Sequence, residues 1–174
     1  MRLLPKRNKS ATQKELLYNP PVLNWQVDSS SWLLEKKQEK YKKCTENPAY
    51  WAKNFGVIKH PIKGKIAFKL YPFQEIILKS FFKVDNLAIL KSRQMGISTL
   101  IAGFCFWMAC FYKDQDIVIL ATKGDVAKNI IEKIKVFYQY TPSWMKPKIE
   151  YWNVYSVTFT NGSKVKASTT TKDA

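Results

Sequence analysis

Histidine, cysteine, glycine and acidic side chains are all scarce in this chain of 174 residues, and each scarcity excludes something. The one histidine, His60, precedes Pro61 without a paired carboxylate or cysteine, so it reads as a structural loop residue rather than a base or metal ligand. The three cysteines, Cys44, Cys105 and Cys110, are odd in number, and the last two sit in an apolar run without ligand companions. Neither a disulfide framework nor a zinc site follows, and a reducing cytoplasm fits. Asp and Glu total 13 against 29 Lys and Arg, a formal charge of +16. A surplus of that size implies an anionic partner, nucleic acid or a membrane surface. The leading MRLLPKRNKSATQKE is basic but lacks the apolar stretch and small-residue cleavage site of a secretory signal. The uncharged run from Ile97 to Tyr112 falls short of the roughly 20 residues a spanning helix needs. It is expected to be a core helix covered on most sides, which argues against a membrane role.

What is present is apolar material for one principal core, 46% hydrophobic and 14% aromatic. Up to about Pro21 the chain is polar and proline-punctuated and reads as a poorly ordered arm. Asp28 to Ser31 can cap a helix reaching about Cys44, with Trp32, Leu33 and Leu34 at its start and a basic remainder in which Glu39 can pair with Lys43. Residues 1–45 thus form a basic arm and helix, and residues 46–174 the main domain. From Asn47 to Leu70, turn residues alternate with short apolar groups, giving a short helix and an irregular lead-in with one edge strand.

After Pro72 the pattern sharpens. Phe73 to Phe82 has helical spacing, Asn86 to Lys91 is a short apolar run of strand length, and the apolar helix follows a glycine-bearing loop. Asp116 to Thr122 reads as a second buried strand and Gly124 to Tyr140 as an amphipathic helix with Val126, Ile130, Ile134 and Phe137 on one face. Strand, helix, strand, helix predicts an α/β fold with a mostly parallel sheet. Val154 to Thr160 and Ser163 to Thr169 alternate around Asn161-Gly162 and predict a β-hairpin.

The chemistry concentrates in Lys91-Ser92-Arg93-Gln94-Met95-Gly96-Ile97-Ser98-Thr99, at the junction of the expected strand and helix. Unpaired helix amides and the positive end of the helix dipole converge there and suit a phosphate. Gly96 permits close backbone approach, and Ser98 supplies a hydroxyl of the kind that holds Mg²⁺ in such loops. Against G-x-x-x-x-G-K-[ST], Lys91 replaces the first glycine and Ile97 occupies the lysine position. Lys91 and Arg93, the cations of the loop, are the candidates to replace that lysine. A turn whose basic residues merely face water is the alternative.

The runs FQEIILKSFF, LKSRQMGIST and IVILATKGDVAKNIIEKIK and the NGSKVKAS hairpin, taken in order, resemble the large terminase subunit of tailed phages, in particular its myovirus-type branch, from about Asn47 onward. The resemblance implies a P-loop ATPase of the ASCE type that binds ATP and Mg²⁺ and drives double-stranded DNA into a preformed capsid in the host cytoplasm. It also implies a portal protein and a small terminase subunit as partners, a homo-oligomeric ring, and a C-terminal nuclease in the full-length protein. Phe73 and Gln74 then correspond to the adenine-recognition motif, Ser92 to Thr99 to the Walker A segment, and Arg93 to a catalytic arginine acting on the γ-phosphate in cis. An aromatic face can stack on adenine and a glutamine amide can read its edge.

No strand here ends in the Asp-Glu pair that binds Mg²⁺ and activates water. By the resemblance that pair and the nuclease lie beyond Ala174, so the chain is expected to be a fragment or split-gene product that hydrolyses ATP poorly. Two other readings stand beside it. One is a basic nucleic-acid-binding module with Trp32, Trp51 and Trp152 as stacking platforms, and the other is a helicase-like ATPase fragment. The aromatic and lysine-rich run from Trp144 to Tyr155 is either a loop leading into a sheet or a partner-facing surface.

Overall fold

The computed structural model describes residues 31–170, with the side chains of residues 31–33 excluded. The arm to Pro21, the capping segment before Ser31 and the Trp32 side chain lie outside the described residues.

Helix α1 (Ser31–Glu46) carries the expected Glu39–Lys43 ion pair at 2.6 Å on its exposed face. Its far end is apolar instead: Cys44 is fully buried, its carbonyl accepts from the Trp107 indole N–H at 2.7 Å, and Tyr41 packs on Phe111. Asn47 caps α2 (Pro48–Phe55), its side-chain oxygen accepting from the Ala49 and Tyr50 amides, with proline in the first turn where a missing N–H costs nothing. The lead-in expected to be irregular is an antiparallel hairpin of β1 (Val57–His60) and β2 (Gly64–Ala67). His60 Nδ1 accepts from the Ile62 and Lys63 amides and so organises the turn.

Helix α3 (Pro72–Ser80) leads through an extended segment to α4 (Ile97–Phe111), then β3 (Asp116–Ala121), α5 (Gly124–Tyr140), β4 (Ile149–Trp152), β5 (Ser156–Phe159) and β6 (Lys164–Thr169). Helix α4 is the centre of the molecule. It has no charged residue, and eleven of its residues are buried because α2 and α3, α5 and the sheet all pack against it. Trp51, Phe106, Trp107, Phe111, Phe137 and Phe159 mesh around it, each worth about 2–3 kcal/mol of burial. No helix among the described residues is long and apolar enough to cross a membrane.

The four-stranded sheet has the order β3-β6-β5-β4, with β3 and β6 parallel and the other two pairs antiparallel. The fold is therefore α/β with a mixed sheet, which corrects the expectation of a mostly parallel one. The reason is that β4, β5 and β6 pair antiparallel, while the segment from Asn86 to Lys91 joins no ladder among the described residues and so adds no parallel strand. Leu87 and Ile89 rest on the core while Leu90 is fully exposed. The helices cover one face of the sheet, through Ile117, Ile119, Val157, Phe159, Val165 and Ala167. The opposite face leaves Val118 and Leu120 about half exposed beside Lys164 and Lys166, and among the described residues the outer edge of β3 is unpaired.

The expected hairpin forms between β5 and β6, through a Thr160-Asn161-Gly162 loop in which Gly162 alone has positive φ, 80°. Phe159 N–H bonds to Ser163 O and Gly162 N–H to Phe159 O, the pattern of a turn closed by a left-handed glycine. Asn161 turns inward: its amide nitrogen donates to Ala109 O and Tyr112 O at the end of α4, and its oxygen accepts from the Ser163 amide. That side chain and the Ser163 hydroxyl, which also donates to Tyr112 O at 2.8 Å, satisfy otherwise orphaned carbonyls of a buried helix end. The contacts fix the end of α4 against the β5–β6 turn, next to the start of β6.

Candidate phosphate-binding loop

The loop from Lys91 to Ser98 lies on the surface. Lys91, Ser92, Arg93, Gln94, Gly96 and Ser98 are exposed, Met95 and Thr99 are half-buried, and Ile97 is 6% exposed. Two backbone positions are left-handed, Gln94 at φ 62° and Gly96 at φ 68°. Glycine adopts that conformation without steric penalty, whereas Gln94 does so at a cost of about 1 kcal/mol. Gly96 is the N-cap of α4, and no side chain caps this helix. The first helical bonds run from the Thr99 and Leu100 amides to Gly96 O. The Ile97 and Ser98 amides precede that first turn and point out of the helix start, with the dipole's positive end behind them.

The side chain of Ile97, at the position of the usual lysine, is packed into the core, so only its amide faces the loop. Lys91 and Arg93 are on the solvent side and form no ion pair with the described residues. Ser98 exposes its hydroxyl in the first turn of α4. No group of three or more His, Cys, Asp or Glu gathers among the described residues. Among the described residues, the parallel strands β3 and β6 run out into Thr122-Lys123 and Thr170, without a carboxylate at those positions.

Gln74 and Phe73 sit beside this loop but not alike. Gln74 is 2% exposed; its oxygen accepts from the Tyr71 amide at 3.1 Å and its nitrogen donates to Met95 O at 3.1 Å. One donor and one lone pair of the amide are thereby committed to holding the helix start to the loop. Phe73 is half-buried and stacks in parallel with the exposed Tyr71, ring centroids 5.7 Å apart. Tyr71 joins the site unannounced by sequence; the signal available was an aromatic two residues before Phe73.

The other aromatic candidates separate cleanly. Trp51 is 1% exposed inside the core and offers no face to a ligand. Trp152 is half-buried on β4 at the rim of an open groove. Within the run from Trp144 to Tyr155, Met145 is fully buried, β4 supplies a strand, and Tyr151, Val154 and Tyr155 are exposed. The run is both an approach to the sheet and a surface.

The chain matches no protein-family model.

Proposed function

We propose that the loop from Lys91 to Thr99 binds the phosphates of ATP with Mg²⁺, and that the chain is the nucleotide-binding part of a viral DNA-packaging motor, the large terminase subunit. The observation that carries this reading is the left-handed Gly96 at an uncapped helix start, with the exposed cations of Lys91 and Arg93 on the same short loop. Free amides, dipole and cations converge where a polyphosphate needs them. Ser92 to Thr99 cradle the phosphates, Ser98 holds Mg²⁺, and Arg93 approaches the γ-phosphate. Since the Ile97 side chain is buried, a cation at the start of the loop replaces the usual lysine.

The open aromatic pair of Tyr71 and Phe73, next to Gln74, is the natural platform for adenine. Packaging implies double-stranded DNA, a portal protein, a small terminase subunit and a homo-oligomeric ring as partners, which the basic surface suits. The P-loop assignment accommodates the unpaired Asn86–Lys91 segment and the bare outer face of the sheet. Parallel strands are stable when covered on both faces, so both features accept further strands and a covering layer.

Thermal unfolding with ATP·Mg²⁺, ATP with chelator, and AMP tests the assignment. A ligand of the native state at one hundred times its Kd stabilises by about 2.7 kcal/mol. The expected order is ATP·Mg²⁺ above ATP above AMP, with Ser98→Ala abolishing the Mg²⁺ increment. Equal shifts from all three ligands would refute phosphate recognition.

A further inference from the structure

A second site lies away from the phosphate loop. An open groove of about 330 Å³ runs between α5 and the turn joining β4 to β5. One wall is the exposed stripe Lys128, Glu132 and Lys135 of α5, the other is Trp152, Asn153 and Val154, and the buried Ile131 closes the floor. The Lys135 ammonium stands 6.0 Å from the centroid of the Trp152 ring, and Tyr138 meets that indole edge-on at 6.2 Å. Neither Lys128 nor Lys135 forms an ion pair with Glu132, so both charges are available to an incoming anion.

We infer that this groove binds single-stranded nucleic acid, with one base against the Trp152 indole and the flanking phosphates on Lys128 and Lys135. The two lysines are seven residues apart on one helix face, about 10 Å along the axis, and their flexible stems reach the backbone on both sides of one nucleotide. Cations flanking a recessed aromatic plane form the combination that takes unpaired bases. A paired base has both faces covered by its neighbours and cannot enter, which selects single strands over duplex. An acidic peptide would satisfy the lysines but leave the indole unused. The inference rests on this groove alone and is independent of the phosphate-loop reading.

The test is equilibrium binding of a fluorescent oligothymidylate, an abasic oligomer of the same charge and length, and a duplex, under one fixed salt condition and then across a salt series. Trp152→Leu keeps apolar bulk and removes the stacking plane. It should weaken oligothymidylate binding by about fivefold or more, as expected for one lost base–aromatic stack, and leave the abasic oligomer unaffected. Lys128→Gln with Lys135→Gln should flatten the logarithmic salt dependence by about 1.4, the value for two phosphates of a single strand. Lys40→Gln with Lys42→Gln, exposed on α1, removes equal charge elsewhere and should change it less. Glu132→Gln should tighten binding. The inference is overturned if Trp152→Leu affects both single strands equally, if the two lysine pairs behave alike, or if Trp152→Leu weakens duplex binding as much as oligothymidylate binding.

Discussion

The side-chain amide of Gln74 donates to the carbonyl of Met95 at 3.1 Å, tying the start of α3 to the loop immediately before the left-handed Gly96. The same nitrogen lies 3.0 Å from where a Cβ on Gly96 would fall. A glutamine is thus the spacer that sets the shape of the loop, whatever else it reads.

Gln74→Ala should therefore cost about 1–3 kcal/mol, because it removes two part-buried hydrogen bonds, to the Met95 carbonyl and from the Tyr71 amide, each worth about 0.5–1.5 kcal/mol. Gly96→Ala should cost about 1–2 kcal/mol from its positive φ alone, with the crowding against Gln74 added. Urea unfolding of the two variants and their double mutant checks this. Their effects should be non-additive, since both act on one contact.

Local pattern made most of this fold legible. The amphipathic spacing of Gly124 to Tyr140 coincides with α5, and the alternation around Asn161-Gly162 with the β5–β6 hairpin. What failed was non-local. Asn86 to Lys91 has the composition of a strand, but a strand exists only through a partner, and it has none among the described residues. Strand β4 was hidden in a run of aromatics and lysines because its pairing with β5 is bulged and only partly buried. The candidate loop was visible as a motif, whereas the inward packing of Ile97 and the bracing role of Gln74 depend on residues some twenty positions apart. Trp51 and Trp152 looked equivalent in sequence and were separated only by tertiary packing.

Asn161 fastens the β5–β6 turn to the end of α4, and Asn161→Ala should cost about 1–3 kcal/mol by removing the side-chain donor of the Ala109 carbonyl and leaving the Tyr112 carbonyl to the Ser163 hydroxyl alone. Asn161→Asp keeps the size and the oxygen that meets the Ser163 amide but loses the donor, so it should be no better. Thermal melts of both variants decide whether the donor or the turn geometry matters; recovery in Asn161→Asp would contradict the assignment.

The three thiols give a pH signature. Burial pushes Cys44 and Cys105 from 9.0 up to about 12, and Cys110 is raised further in the same direction by the same cause. The folded pKa values lie above the unfolded ones, so their contribution is fully present below about pH 9 and is lost as the pH rises toward 12. Thiol titration with a disulfide reagent at pH 8 should find all three protected in the folded chain and reactive in denaturant. Rapid labelling of any one without unfolding would place it outside the core.

In the proposed function, Lys91 and Arg93 serve a phosphate-binding loop. Equilibrium binding of a fluorescent ATP analogue with Mg²⁺ should be saturable for the natural chain and lost in the Lys91→Ala, Arg93→Ala double variant, with circular dichroism unchanged because both side chains are exposed. Binding equal in the two proteins, or absent from both, would contradict the account.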